Sequence, residues 1–264
     1  MILQQIIPHA FSFGALFAGV GAILHAAAGN YALSAQLIAL AMILDGLDGK
    51  IARKLGVVSQ FGAELDTFID AICFGLAPAL LAWYVALKHL GVWGLLFVFA
   101  MVASGVARLA RFRVVDPFRG QRGYLGLPIT VNAGWIAMWV FMTEAGSWEG
   151  MLTLRGGWGA ALAWASSAMF VLLQVSHVRY GKPTKAPVVM AGGMVMVALL
   201  FLHAGLALVS AALLCGFAFL YGLVTPFFPR HDFARVVQTG EDLEESEVDD
   251  EDPVEASSAR GDRP

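Results

Sequence analysis

The sequence predicts an all-α fold, a polytopic bundle of transmembrane helices. Two observations lead to this class. Of the 264 residues, 58% are hydrophobic and only 14% are charged, and the mean hydropathy is +0.71, whereas a soluble domain needs far more polar surface. The apolar residues also fall into stretches of roughly 20, the length that crosses about 30 Å of hydrocarbon.

Eight stretches have this length and composition. They cover about residues 10–28, 32–51, 61–87, 92–111, 127–144, 158–176, 187–203 and 206–226. Only a tight turn near His203 and Gly205 separates the last two, so one long re-entrant hairpin is a second interpretation of that region. Eight spans are therefore predicted, and six is the alternative.

The basic residues between the spans predict the orientation. If the N-terminus is cytoplasmic, the loops on that side carry most of the lysines and arginines: Lys50, Arg53, Lys54, Arg111, Arg113, Arg119, Arg122, Arg179, Lys182, Lys185, Arg230 and Arg235. The opposite loops carry Lys88 and Arg155 alone. Cytoplasmic loops of membrane proteins are enriched in lysine and arginine. Both termini are therefore expected on the cytoplasmic side of the cell (inner) membrane.

The C-terminal segment has a different composition. Ten of the twenty acidic residues lie between Glu241 and Glu255, a region with no aromatic residue. Such a composition favours a solvated, disordered chain. We therefore predict a transmembrane domain over residues 1–229 and an acidic cytoplasmic tail over residues 230–264.

Acidic residues are also concentrated at one point of the membrane domain. Of the eight that precede residue 232, four are Asp45, Asp48, Asp66 and Asp70, and all lie in the stretch LDGLDGKIARKLGVVSQFGAELDTFID that runs from residue 44 to 70. Ionised side chains are costly at membrane depth. Their clustering therefore indicates a functional site, in preference to a set of interfacial caps and surface ion pairs.

The spacing of the aspartates predicts that they meet. Asp45 and Asp48 are three residues apart near the end of the second span, and Asp66 and Asp70 are four apart near the start of the third, so each pair shares a helical face. A short turn around Gly56 joins the two helices. Four carboxylates at one point repel one another unless a cation lies between them. Oxygen ligands at this density suit Mg²⁺ or Mn²⁺, as one ion or two, although Ca²⁺ fits the same oxygens.

The residues around the aspartates suit a diphosphate. Gly49, Ala52 and Gly62 keep the adjacent surface low, so that a phosphate or a base can approach the backbone. Arg53 adds a cation with bidentate reach towards phosphate oxygens. An alternative from another class is a divalent-cation transporter. That function predicts acids on several spans near the bilayer midplane, whereas these acids lie on one hairpin beside Arg53, which would repel a permeating cation.

The pattern D-x2-D-G-x2-A-R-x8-G-x3-D-x3-D, filled at every position here, resembles the signature of the CDP-alcohol phosphatidyltransferases. The resemblance implies that Asp45, Asp48 and Asp66 are metal ligands and that Asp70 both approaches the metals and acts as the general base. It also implies that Gly49, Ala52, Arg53 and Gly62 border the CDP group. A homodimer is implied in the same way, and no nucleic-acid partner is expected.

Further stretches resemble the subfamily that uses L-serine as the acceptor. They are AICFGLAPALL after Asp70, RLARFR and GLPIT beside the subfamily's RLARFN and GLPIP, and LLQVSHVRYGKPTK. The usual P-N-x-x-T-x-x-N opening reads PHAFSFGA here, with His9 and Ala15 in place of the asparagines. Ser12 keeps the hydroxyl of that run and is assigned to the CDP site. The resemblance covers most of residues 7–185.

This resemblance implies transfer of the phosphatidyl group from CDP-diacylglycerol, a membrane lipid, to L-serine, giving phosphatidylserine and CMP. A serine carboxylate among aspartates needs a cation. Arg108 and Arg111, near the end of the fourth span, are the candidates for binding this carboxylate or a lipid phosphate, although basic residues there also contact anionic lipid. Glycerol 3-phosphate and inositol phosphate are the alternative acceptors.

Overall fold

Helices form at each of the predicted apolar stretches in the computed structural model, which describes residues 2–115, 124–145, 153–180, 187–202 and 204–224. The first three spans comprise α1 (Ile2–Ala27), α2 (Tyr31–Leu55), α3 (Gln60–Asp70), a π-helical turn (Ala71–Leu76) and α4 (Ala77–Val85). A 3₁₀ turn (Leu87–Leu90), α5 (Val92–Val115), strand β1 (Tyr124–Leu125) and α6 (Ile129–Glu144) follow. The remaining elements are α7 (Gly157–Val175), strand β2 (Arg179–Tyr180), α8 (Pro187–Leu199) and α9 (Ala204–Val224).

Six of the described helical segments are long and apolar enough to cross a membrane: Ile6–Ala27, Tyr31–Leu55, Gln60–Val85, Val92–Val114, Gly157–Val175 and Gly205–Val224. Helices α6 and α8 occupy the other two predicted positions but have only 16 and 13 residues. At 1.5 Å per residue, these two are shorter than the hydrocarbon core is thick. The fold class is confirmed as a polytopic transmembrane helical bundle, and the chain is an integral membrane protein.

The third span, Gln60–Val85, is not one regular helix. After Asp70 the chain widens into the π-helical turn, which closes when the N–H of Ala77 donates to the carbonyl of Ile72. Pro78 follows at once in α4 and has no N–H of its own. The wide turn therefore lies where the regular ladder of helical hydrogen bonds is broken by proline, and it redirects the chain directly behind the last aspartate.

Helix α6 lies at the centre of the bundle and is buried on nearly every face. Trp135 on α6 is the hub of an aromatic cluster, 5.8 Å from Phe170 of α7 and 5.3 Å from Phe219 of α9 between ring centroids. Its Nε1 also donates to the carbonyl of Ala163, 3.3 Å away. These contacts form the larger hydrophobic core and hold α6, α7 and α9 together.

A second, smaller core lies beneath the aspartates and packs α1 and α5 closely against the third span. At Gly19 of α1 a side chain would collide with Cys73, whose thiol donates to the carbonyl of Ala15 at 3.3 Å. At Gly105 of α5 a Cβ would lie 4.0 Å from the Cα of Gly75. Small residues permit such close approach of helices in a membrane.

Strands β1 and β2 form a two-residue antiparallel pair that docks on the end of α9. Tyr124 pairs with Tyr180, and Leu125 with Arg179. The buried Tyr180 hydroxyl donates to the carbonyl of Gly222 at 3.1 Å, and burial raises the pKa of this phenol to about 12. The pair ties the segment before α6 to the segment after α7.

Candidate active site

A tight turn between α2 and α3 brings the two halves of the acidic stretch together. Helix α2 ends at Gly56, whose φ of 66° places it in the left-handed region that glycine adopts readily. Three residues later, Ser59 caps α3 by accepting a hydrogen bond from the N–H of Gly62 at 3.0 Å. The turn therefore reverses the chain within a few residues, as the sequence predicts.

Three of the four aspartates share one point in space. Asp45, Asp48 and Asp66 each offer a carboxylate oxygen, and these oxygens all lie within 4.8 Å of one another. The Asp45 carboxyl is also within hydrogen-bonding reach of both Asp66 and Asp70. The two helices therefore present the four side chains as one cluster.

This cluster fits a hard divalent cation. The donors of the three-residue group are all carboxylate oxygens, which Mg²⁺, Mn²⁺ and Ca²⁺ prefer. One oxygen of Asp70, Oδ1, is buried and has no hydrogen-bond partner among the described residues. Because buried polar atoms are nearly always paired, this orphaned oxygen indicates that a ligand or substrate completes the site.

Ser12 brings a third helix, α1, into the cluster. Its buried hydroxyl lies 2.5 Å from Oδ2 of Asp48 and 3.3 Å from the carbonyl of Pro8. A carboxylate oxygen is the stronger acceptor of the two. Ser12 therefore holds the Asp48 carboxylate from α1.

Arg53 lies at the open edge of the cluster and is itself exposed. Its guanidinium lies over Gly49, where a Cβ would be 3.4 Å from Nη1. It interacts electrostatically with Asp48 and Asp66. Ala52 is partly buried on the same turn of α2. An anion that arrives here would meet a cation and a low surface beside the carboxylates.

The family model described as CDP-alcohol phosphatidyltransferase matches residues 5–171, well over half of the chain. The match runs from α1 into α7 and includes all four aspartates. The chain belongs to the CDP-alcohol phosphatidyltransferase family.

Three curated relatives are named CDP-diacylglycerol–serine O-phosphatidyltransferase. The protein of Helicobacter pylori strain 26695 is 32% identical over 135 residues, which are 51% of this chain and 57% of that protein. The protein of Methanocaldococcus jannaschii is 42% identical over 100 residues, 38% of this chain and 46% of that one. The protein of Bacillus subtilis is 38% identical over 123 residues, 47% of this chain and 68% of that one. The chain spans about half the length of most curated relatives that it matches.

In this family member, His9 occupies the surface that Gly62 leaves open. A Cβ at Gly62 would lie 3.3 Å from Cε1 of His9. The imidazole also packs edge-on against Phe61, with ring centroids 5.8 Å apart, and interacts electrostatically with Asp48. Sequence reasoning treated His9 as a replaced asparagine and missed this contact. Its spacing of three residues from Ser12 on α1 is the signal that could have revealed it.

The two candidate acceptor arginines have different surroundings. Arg108 on α5 is buried, 6% exposed; its guanidinium interacts electrostatically with Asp70 and lies 5.6 Å from the ring centroid of Phe112. The Arg111 guanidinium instead donates to four backbone carbonyls: Leu125 at 3.4 Å, Gln174 at 3.1 Å, Val175 at 2.9 Å and Ser176 at 2.8 Å. Three of these carbonyls end α7, so Arg111 caps that helix, and Arg108 is the arginine that faces the cluster.

Some basic residues near the ends of the spans are exposed or lie outside the described residues. His177 is exposed beyond the end of α7. Arg119, Arg122, Lys182 and Lys185 lie outside the described residues, as does the predicted acidic tail over residues 230–264.

Proposed function

We propose that this chain transfers the phosphatidyl group from CDP-diacylglycerol to the hydroxyl of L-serine, giving phosphatidylserine and CMP. The observation that carries the proposal is the cluster of Asp45, Asp48, Asp66 and Asp70 at the junction of two membrane helices. The family membership and the name shared by its relatives support the same reaction.

Asp45, Asp48, Asp66 and Asp70 would hold Mg²⁺ or Mn²⁺, as one ion or two. Such ions, when bound to a diphosphate, draw charge from the reacting phosphorus and stabilise the departing CMP. Ser12 supports this function because its hydrogen bond keeps the Asp48 carboxylate in one orientation. Metal sites need hydrogen-bond partners that hold each ligand in the correct orientation.

The donor's CDP group would lie along the exposed edge of α2 and α3. Gly49 and Ala52 leave room for it there, and Arg53 supplies a cation for its phosphates. Gly62 contributes indirectly, because the imidazole of His9 fills the space above it. The acyl chains of the donor would stay in the hydrocarbon of the bilayer.

The acceptor would be bound between Asp70 and Arg108. Arg108 would pair with the serine carboxylate, since a buried anion needs a cation beside it. Asp70 would take the proton from the serine hydroxyl as its oxygen attacks the phosphorus that bears diacylglycerol. The new phosphorus–oxygen bond forms as the bond to CMP breaks, and CMP leaves with that electron pair. The unpartnered Oδ1 of Asp70 supports this role, because it is an acceptor that no described side chain occupies.

The orientation and assembly are part of the proposal. The basic residues at the ends of α2 and α5 favour a cytoplasmic site and two cytoplasmic termini in the cell (inner) membrane. A homodimer is proposed from the family resemblance. Residues 1–229 would form the catalytic domain, and residues 230–264 a solvated tail.

The test is to incubate the purified protein with CDP-diacylglycerol and a panel of acceptors, then identify the lipid product by mass. L-Serine should give phosphatidylserine and an equal amount of CMP. Glycerol 3-phosphate and inositol phosphate form the competing arms. A product from one of these, with none from serine, would overturn the choice of acceptor, and no product from any alcohol would overturn the transferase.

A further inference from the structure

One ion pair, between Arg113 and Glu64, joins α5 to α3. Both side chains are partly exposed, 18% for Arg113 and 49% for Glu64. An exposed pair of this kind adds little to folding stability. Any larger contribution would come from what the pair positions.

The pair continues a series of contacts between the same two segments. The close approach of Gly105 to Gly75 is the first, the electrostatic pair of Arg108 with Asp70 is the second, and the pair of Arg113 with Glu64 is the third. Residue numbers rise along α5 as they fall along the third span, so the three contacts follow one antiparallel register. At the first contact the backbones themselves are close, whereas at the third only long side chains connect the two helices.

The third contact lies just beyond the proposed acceptor position. From Arg108 to Arg113 the helix rises about 7.5 Å, and from Asp70 back to Glu64 about 9 Å. The region between the second and third contacts is therefore about as long as a small amino acid. Leu109 of α5 is also buried with Ile69 and Phe74 in the smaller core. Of the three contacts named above, the ion pair lies nearest the end of α5.

We propose that Arg113 and Glu64 are positioning residues for the acceptor, and this rests on the proposed function. Their ion pair holds α5 in register with α3, so that the Arg108 guanidinium stays opposite the Asp70 carboxylate. The acceptor site depends on both helices. The donor site, built from α1, α2 and α3, does not involve α5. Loss of the pair therefore weakens binding of the acceptor and leaves binding of the donor unchanged.

The experiment uses Glu64→Gln, Arg113→Gln and the exchanged double variant Glu64→Arg with Arg113→Glu. The KM for L-serine, the KM for CDP-diacylglycerol and kcat are measured for each in the same detergent.

Each single variant should raise the KM for serine about fivefold, the upper range for a partly exposed pair. The donor KM and kcat should stay within about twofold. The exchanged variant should recover most of the wild-type KM for serine. Lys88→Gln, which removes one exposed positive charge from the 3₁₀ turn, is the matched control and should change nothing.

An unchanged serine KM in both single variants would overturn the proposal. Equal losses for donor and acceptor, or a failure of the exchanged pair to restore serine binding, would also overturn it, since both outcomes mean general destabilisation. Wild-type turnover of serine is measured first, which separates a failure of this inference from a failure of the proposed function.

A second measurement requires no acceptor, so it tests the positioning role even if the wild-type protein does not use serine. Spin labels at Val114→Cys and Phe68→Cys occupy exposed positions on α5 and α3, while both native cysteines are buried. Breaking the ion pair should broaden the distance distribution between the labels. An unchanged distribution in Glu64→Gln would overturn the positioning role whichever acceptor the enzyme uses.

Discussion

The hydroxyl of Ser12 on α1 lies 2.5 Å from Oδ2 of Asp48 on α2, across two neighbouring membrane helices. Hydrogen bonds to charged groups in protein interiors contribute about 1.5–3 kcal/mol. This one also fixes the orientation of a proposed metal ligand. The Ser12 side chain therefore gives a direct test of how the cluster is held.

Ser12→Ala should lower the affinity for the donor about tenfold, because the Asp48 carboxylate loses the partner that orients it. The measurement is the Kd for CDP in the presence of Mn²⁺, by calorimetry. Ser34→Ala is the matched control, since Ser34 is a buried serine that donates to the carbonyl of Ala22. Equal effects from the two variants would assign Ser12 to packing alone.

Asp70→Asn should reduce kcat at least about 100-fold, since asparagine keeps the shape of the side chain but cannot take a proton. Affinity for CDP should change only a few fold, because Asp45, Asp48 and Asp66 remain. Product formation under saturating serine and donor gives kcat, and CDP titration gives the affinity. Turnover at the wild-type rate would remove Asp70 as the general base.

Removal of divalent ions should abolish activity, and addition of Mn²⁺ or Mg²⁺ should restore it. Four neighbouring carboxylates need a cation to neutralise their repulsion. A second readout is direct binding of Mn²⁺, followed by electron paramagnetic resonance, which Asp45→Asn and Asp48→Asn should each weaken. Full activity in excess chelator would contradict the metal-dependent mechanism.

Arg111→Gln should destabilise the fold by about 3 kcal/mol, because the cap at the end of α7 and the contact with Leu125 are lost together. Thermal unfolding in detergent measures this as a lower Tm. Arg155→Gln is the control, since Arg155 donates to a single carbonyl, that of Val85. An unchanged Tm combined with a raised KM for serine would instead return Arg111 to the acceptor site.

Much of the fold follows from local features of the sequence. The predicted span at 92–111 corresponds to α5 (Val92–Val115) and the one at 158–176 to α7 (Gly157–Val175), because a long apolar stretch favours a membrane-spanning helix. The junction of α2 and α3 can also be predicted from local sequence. Asp45 and Asp48, three apart, share a helical face, and Gly56 marks the turn.

Other features depend on partners far along the chain and have no local signal. Three of the four carbonyls that Arg111 contacts lie more than sixty positions away, after two further helices. The sequence shows a basic residue at a helix end in the same way whether its side chain binds a lipid phosphate or caps another helix. The same holds for Arg113, whose partner Glu64 lies on another span. The π-helical turn after Asp70 was also not predicted, although Pro78, which lacks an N–H for the helical hydrogen bonds, follows it closely.

The left-handed glycine between α2 and α3 has a consequence for biosynthesis. Because Gly56 reverses the chain within a few residues, the aspartates of both helices are brought together by one hairpin, and the entropy lost in closing so short a loop is small. Contacts between near neighbours in sequence also form fastest. We expect this hairpin to assemble while the ribosome is still making the later spans, so that the nascent protein already carries its carboxylate cluster before α9 has been translated.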